Sequence, residues 1–448
     1  MTTARVKRLA ALAGAIALAT TACSSPATPT SGSDVTGEFD WKRFDQETLS
    51  VYIADTGQAE LLQQKLPEFE ELTGIDVTIE TADVTSYRQN LPIRLTAQAS
   101  DFDVMATFPE VDGPQFAANG WYVPLDDYIT NPSVTNPDFA FDDFGEGVRR
   151  AMQVDDQTVT VLWEMQTILT YYRKDLLEKA GLPVPNTFEE WEAAAAKIHD
   201  PANGIYGFAL RGIPYQTTTP FSSFLYAMGG AWVTDGAASI NTPQAVDAYE
   251  TFGRWGSQYG PPGIVGFDWP VPSQQFGQGK VFAFVDINLF VPELEDPTKS
   301  TVAGDVGYAM VPEGPSGRAP FIGGWGYAIN PFSDKADPAW YFLQWATSAE
   351  LNLEMKLTGW PSPRTSAWDS AEFKSTDKTP EFTKVVLDST QAASARMNPP
   401  VAPGVQAREI AGLVANKALE GISREELQKV ADTQNAELQQ LIDAMPSA

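Results

Sequence analysis

The chain has 448 residues, with Lys+Arg 30 against Asp+Glu 58, and a formal net charge of −28. Its 43% hydrophobic and 20% charged content is that of a globular chain with room for two or three domains, which excludes wholesale disorder. The acidic balance excludes a phosphate-backbone partner, so no nucleic acid is expected, and one His with one Cys excludes multi-His metal sites, CxxC redox chemistry and an intrachain disulfide framework.

Residues 1–22 read as an export signal. Arg5, Lys7 and Arg8 form a basic start, and an uncharged Ala/Leu stretch follows that is too short for a stable membrane anchor. Thr20, Thr21 and Ala22 precede Cys23, the only Cys. This resembles a bacterial lipobox, which implies lipidation of Cys23 and a lipid anchor on the outer face of the cell membrane. The other reading is an ordinary signal peptide with a leftover thiol. Residues 23–44 then form the lipidated Cys and a flexible Ser/Thr/Pro/Gly tether.

Beyond the tether, residues 49–53 read as a strand. Leu61, Leu62, Leu66, Phe69 and Leu72 follow at helical spacing, with Gly74 as the C-cap. Strands are expected at 75–79 and 102–106, with a helix around 87–98 between them. Strand–helix–strand alternation predicts a parallel α/β sheet. Trp121 to Ile129 reads as a surface turn. Residues 158–172 are too long for one strand, and the polar break at Glu164 to Gln166 predicts two strands with a crossing between them. Thr187 to Glu190 is a capping box opening a helix to His199, and Ser423 to Glu426 is a second one opening the tail helix. A strand at 206–210 and helices at 245–259 and 350–357 complete the reading.

Several blocks in this order resemble the extracellular solute-binding proteins of bacterial ABC sugar importers, in the maltose-binding-like class. They are Phe69 to Val77, Phe102 to Met105, Gly120 to Asp127, Leu169 to Leu176, Ala180 to Pro183 and Asn186 to Trp191. Three more resemble the branch that handles polyols and related monosaccharides: Gly207 to Gly212, Val285 to Gly304, and Gly323 to Ile329. The resemblance implies a two-lobed α/β periplasmic-binding-protein-like fold (type II), each lobe a mostly parallel sheet flanked by helices. It places the first lobe at 45–157 plus 319–357 and the second at 158–318 plus 358–448. Crossings between lobes are implied near 158–164, 318–323 and 357–364. It implies a monomeric, extracytoplasmic receptor without cofactor, metal or catalytic residues, which passes a carbohydrate to an ABC permease.

A sugar or polyol has apolar C–H faces that lie on aromatic rings, and hydroxyls that need paired donors and acceptors in a dry site. Trp325, between Gly323, Gly324 and Gly326, is the first candidate plate; the glycines would let backbone approach a ligand. The alternative is a Trp wedged in the hinge core. Trp163 in the first crossing has the same two readings. Asp286 ends a strand-like run, where it would face the cleft, and Arg211 ends another, where it would bind hydroxyls or brace Asp286. Gln58 and Glu110 follow strands at the edge where open α/β sheets bind ligands. Arg88, Gln166 and Arg364 complete the set, with structural bracing an equal reading for Arg364. Two other function classes stay open: a secreted glycoside hydrolase using a carboxylate pair, and a same-fold receptor for a non-sugar ligand such as a polyamine.

Overall fold

The computed structural model describes residues 32–55 and 58–445. The export signal, Cys23 and the first part of the expected tether lie outside them. Its later part is not a loose tether, since Phe39, Trp41 and Phe44 all pack on the buried Tyr341 ring. Two five-stranded sheets organise the chain. Their strands are β1 Thr48–Ala54, β2 Asp76–Ala82, β3 Val104–Thr107, β4 Val161–Leu162, β5 Gln166–Arg173, β6 Tyr206–Ala209, β7 Val281–Ile287, β8 Val306–Met310, β9 Ile322–Gly323 and β10 Gly326–Ile329.

The first sheet runs β2-β1-β3-β10-β4. Its parallel half comes from the expected alternation: β1, then α1 Gln58–Thr73, then β2, α2 Val84–Thr96, β3 and α3 Pro109–Ala118. Strand β10 is antiparallel to both β3 and β4. In the second sheet the order is β8-β5-β7-β6, with β9 also on β5. Only β6 and β7 are parallel there; β5 is antiparallel to β7, β8 and β9. The sheets are therefore mixed rather than mostly parallel. Crossovers within a lobe return a strand parallel, whereas a strand arriving from the other lobe has no such constraint.

Strand β7 (VFAFVDI) is buried along its whole length, as a central strand covered on both faces must be. Helices α4 Pro214–Ala227, α5 Pro243–Tyr259 and α6 Gly404–Leu419 pack together beside it. The ring of Phe208 in β6 stacks on Trp255 of α5, centroids 3.9 Å apart and planes 4° apart. Both expected capping boxes are present, at Thr187 and Ser423. Trp191, Trp340, Trp345 and Trp121 are all buried, as core residues. One expectation fails here: residues 121–125 are not a surface turn. Trp121, Tyr122, Val123 and Leu125 are buried, with Trp121 and Tyr122 packed on Phe116 of α3. Asp126 accepts from the N–H and hydroxyl of Thr158, at 3.0 and 2.8 Å, so this segment ties the first lobe to the strand leading out of it.

The lobes meet where strands pass between sheets. The chain leaves the first sheet after Leu162 and enters the second at Gln166; it leaves the second after Gly323 and re-enters the first at Gly326. The second crossing is thus Gly324 and Trp325, later than the expected 318–323, because Gly323 still pairs with Gln166. The two crossings lie side by side: Trp163 donates its N–H to the Trp325 carbonyl at 3.0 Å. A third strand of chain joins them, with Met165 donating its N–H to Pro361 O at 3.0 Å. Gly324 is required by this closeness. A Cβ at that position would lie 2.1 Å from the Glu164 carbonyl oxygen, a backbone atom that cannot swing aside as a side chain could. Gly324→Ala should therefore cost about 3 kcal/mol through overpacking. Urea unfolding should show a lower midpoint for the variant; an unchanged midpoint would remove the crossing from its proposed place in stability.

Candidate functional site

A cavity of about 540 Å³ opens between the two sheets, within the range of small-molecule sites. Its floor is made by the crossings: Glu164, Gln166, Trp325 and Trp360. One wall belongs to the first lobe, with Asp55 after β1, Arg88 on α2 and Phe108 after β3. The other wall belongs to the second lobe, with Arg211 after β6, Ile287 at the end of β7, and residues of α4 and α6.

Arg88 is held by local structure. Asp83 caps α2, accepting from the N–H groups of Thr85 and Ser86 at 3.1 and 3.0 Å. Asp112, in the first turn of α3, accepts from the Phe108 N–H at 2.8 Å with one oxygen and from Arg88 Nη1 at 2.7 Å with the other. The guanidinium carbon of Arg88 sits 4.6 Å from the centre of the Trp325 ring, within cation–π reach. Phe108 meets the same indole edge-to-face at 5.8 Å. Trp325 is thus clamped at the hinge and retains one small window, 7% of its surface. It is packed into the hinge, and its exposed edge lines the cavity.

On the opposite wall Arg211 Nε donates to Asp286 Oδ2 at 2.9 Å, and Nη2 donates to Oδ1. Asp286 also accepts from its neighbour's N–H, Ile287, at 2.7 Å. This carboxylate is wholly enclosed and does not reach the cavity surface, contrary to its expected position facing the cleft. Strand β7 is covered on both faces, so its outward direction at Asp286 is into protein. Asp286 instead holds Arg211 in a two-point fork, and Arg211 faces the cavity.

Other expected residues fall elsewhere. Trp163 is 2% exposed and packs on Trp360 at 6.0 Å; Trp360 takes the cavity face that Trp163 was expected to take. Gln58 is buried and accepts from the Tyr327 hydroxyl, away from the cavity lining. Glu110 turns into a separate groove of about 450 Å³ with Arg396 and Asn398, because α3 points its second residue behind the hinge. Burial there pushes its carboxyl up to about 7, against the opposing pull of Arg396. Arg364 is fully buried in the first lobe: Nε donates to Thr347 O at 2.7 Å and Nη2 to Phe139 O at 2.9 Å, with Asp143 at 3.3 Å. It braces loops and has no face on the cavity. Gly324 serves the crossing. The structure therefore gathers Trp325, Arg211, Arg88 and Gln166 at the cavity, and removes Trp163, Asp286, Gln58, Glu110 and Arg364 from its surface.

Most of the lining escaped the sequence reading, and Trp360, Trp269 and Arg408 are the most consequential of the residues missed. Trp360 lies within the expected third crossing. Trp269 is 46% exposed at the cavity edge, stacked on Phe290 at 5.7 Å, with its N–H donating to Gln216 Oε1 at 2.6 Å. Arg408 lies on α6; its signal was a charged residue on the buried stripe of that helix, Gly404, Ala407, Arg408, Ala411 and Ala415. Among the described residues no cluster of His, Cys, Asp and Glu fits a metal ion.

Glu164 is the carboxylate of the floor. Gln166 Nε2 donates to it at 2.6 Å, yet burial dominates and pushes its carboxyl from 4.5 up to about 7. The folded protein holds this proton more tightly than the unfolded chain does. Stability from this group is therefore greatest below pH 4.5 and declines as pH rises through 7, by up to about 3 kcal/mol. Glu164→Gln should relieve that decline. Its stability advantage over the wild type should be near zero at pH 4.5 and largest at pH 8.5, read by urea unfolding at each pH; an advantage independent of pH would contradict the assignment.

The model of the family described as bacterial extracellular solute-binding protein matches residues 54–352. The chain is 28% identical to the erythritol/L-threitol-binding protein of Mycolicibacterium smegmatis, over 72% of this chain and 71% of the other. It is 26% identical to the mannitol-binding protein of Pseudomonas aeruginosa, over 67% of this chain and 69% of the other. A solved ABC transporter solute-binding protein from Agrobacterium radiobacter K84, in complex with ribitol, superposes with a TM-score of 0.77 at 25% identity, covering 89% of this chain and 99% of that one. This chain belongs to the bacterial extracellular solute-binding protein family.

Proposed function

We propose that the protein is the extracytoplasmic receptor of an ABC importer and captures a small carbohydrate, a polyol or monosaccharide, between its two lobes. The observation that carries this reading is the cavity itself. Indole plates (Trp325, Trp360, Trp269) stand beside fixed donors (Arg88, Arg211) and acceptors (Glu164, Gln166, Asp55), all at the junction of two sheets. That is the chemistry of a hydroxylated guest with apolar faces. The relatives named for erythritol, L-threitol and mannitol and the ribitol-bound structure support the polyol class. Contacts from both walls favour a closed arrangement of the lobes, which the permease would read. The protein works as a monomer, tethered through a lipid on Cys23. Its lobes divide at the crossings after Leu162 and after Gly323 rather than at the expected 157/158 and 318/319, and the segment around Arg364 goes with the first lobe rather than the second.

No turnover is needed for this role. Two of the carboxylates around the cavity, Asp112 and Asp286, are tied to arginines and serve as braces rather than as a hydrolytic pair. Calorimetry against alditols, monosaccharides and disaccharides should find a ligand among the first two groups, recovered chemically unchanged. Trp269→Ala should weaken that ligand at least tenfold while the unliganded melting temperature falls little, since this indole is half exposed and its core contact is a single stack on Phe290. No binding across the panel, or hydrolysis of an aryl glycoside, would overturn the reading.

A further inference from the structure

Three guanidiniums face one cavity, and they are not equivalent. Arg88 is paired with Asp112 and Arg211 with Asp286. Arg408 is 94% buried on the inner face of α6, and no described carboxylate forms an ion pair with it. Its Nε and Nη2 donate only to the neutral hydroxyls of Thr218 and Thr219, at 3.2 and 3.4 Å. Among the described residues Nη1 has no acceptor, and it is not sealed in protein, because Arg408 lines the cavity beside Tyr215 and Thr219. The Tyr215 ring covers one face of the guanidinium at 4.7 Å.

This placement is built. Helices α4 and α6 approach so closely that a Cβ on Gly412 would lie 1.7 Å from the Pro214 carbonyl oxygen. That approach is what brings Thr218 and Thr219 of α4 to Arg408. Burial lowers the Arg408 pKa to about 10, with Arg88 and Arg211 adding to the effect and Tyr215 and the more distant Asp112, itself paired with Arg88, opposing it, so the group stays cationic at neutral pH. A buried cation without a counter-charge costs stability, and a chain with 58 acidic residues leaves this one without a partner. A partner that arrives with the ligand resolves the cost.

We infer that Arg408 is the specificity-determining residue of the cavity: its free Nη1 edge takes acceptor oxygens at one end of the ligand, and its unpaired charge refuses a ligand that brings an ammonium there. The inference rests on the proposed carbohydrate capture. The oxygens are supplied by neighbouring hydroxyls or by a terminal carboxylate, and the guanidinium fork suits both. A polyamine is excluded by the same charge.

The test compares wild type, Arg408→Met and Arg408→Lys by calorimetry. The probes are the alditol that the wild type binds best, the matching aldonate and the matching 1-amino-1-deoxy alditol. The wild type should bind the amino compound at least tenfold more weakly than the better of the other two. Arg408→Met should weaken that better ligand at least tenfold and narrow the discrimination against the amine. Arg408→Lys should keep the discrimination while losing affinity. Without ligand, Arg408→Met should melt no lower than wild type, since it removes an uncompensated buried charge; a bracing residue would show the reverse, a lower melting point with affinity kept. Stronger binding of the aldonate names carboxylate as the oxygen source, and stronger binding of the alditol names hydroxyl; both support the role. Equal or tighter wild-type binding of the amine, or unchanged affinity in Arg408→Met, overturns it. A wild type that binds no alditol or sugar overturns the proposed function, and this inference with it.

Discussion

The hydrogen bond from the Trp163 N–H to the Trp325 carbonyl fixes the rest of the molecule. It joins two crossings that run in opposite directions between the sheets, and it lets β4–β5 and β9–β10 behave as one bent ribbon shared by both lobes. Backbone groups at this depth must be paired, because water is excluded from them. Glycine at 324 is the only residue that permits the approach. Once the ribbon is set, Trp325 has one place to go. Its indole is received by Phe108 and Arg88 from the first lobe, and the floor of the cavity follows.

Electrostatics then divide the cavity wall. Arginine in a partly dry site is expensive unless its charge is answered. Arg88 and Arg211 are answered by carboxylates that are themselves satisfied by backbone N–H groups, Asp112 by Phe108 and Asp286 by Ile287. Each carboxylate thus spends its lone pairs on the fold and on one guanidinium. This arrangement fixes the donors before a ligand arrives, so less ordering is charged against binding.

Local signals carried the sequence reading well. The capping boxes at Thr187 and Ser423 are local chemistry, three residues wide, and both form. The bracing of Asp286 by Arg211 was also legible, since each closes a strand-like run. Strand direction was not legible, because β5 and β10 enter their sheets from the other lobe, and sequence period is blind to direction. Trp121 to Leu125 misled because an irregular segment shows no period even when Phe116 covers it. Trp163 and Trp360 lie almost two hundred positions apart, yet they share one contact. Which indole faces the cavity depends on that contact alone.

Under the proposed capture mechanism, floor and walls contribute differently. The floor residues Glu164, Gln166, Trp325 and Trp360 sit on the crossings, which move least when two lobes rotate about them. Their contacts with a ligand are nearly the same whether the lobes are apart or together. A ligand shifts a conformational equilibrium only by its difference in affinity for the two states. Closure must therefore be driven by the walls, Arg88 with Asp55 on one side and Arg211, Trp269 and Arg408 on the other. A guest too short to touch both walls would bind the floor and leave the lobes where they were. Ligand length, set by the span between the walls, is then what separates a molecule that merely binds from one that is handed on.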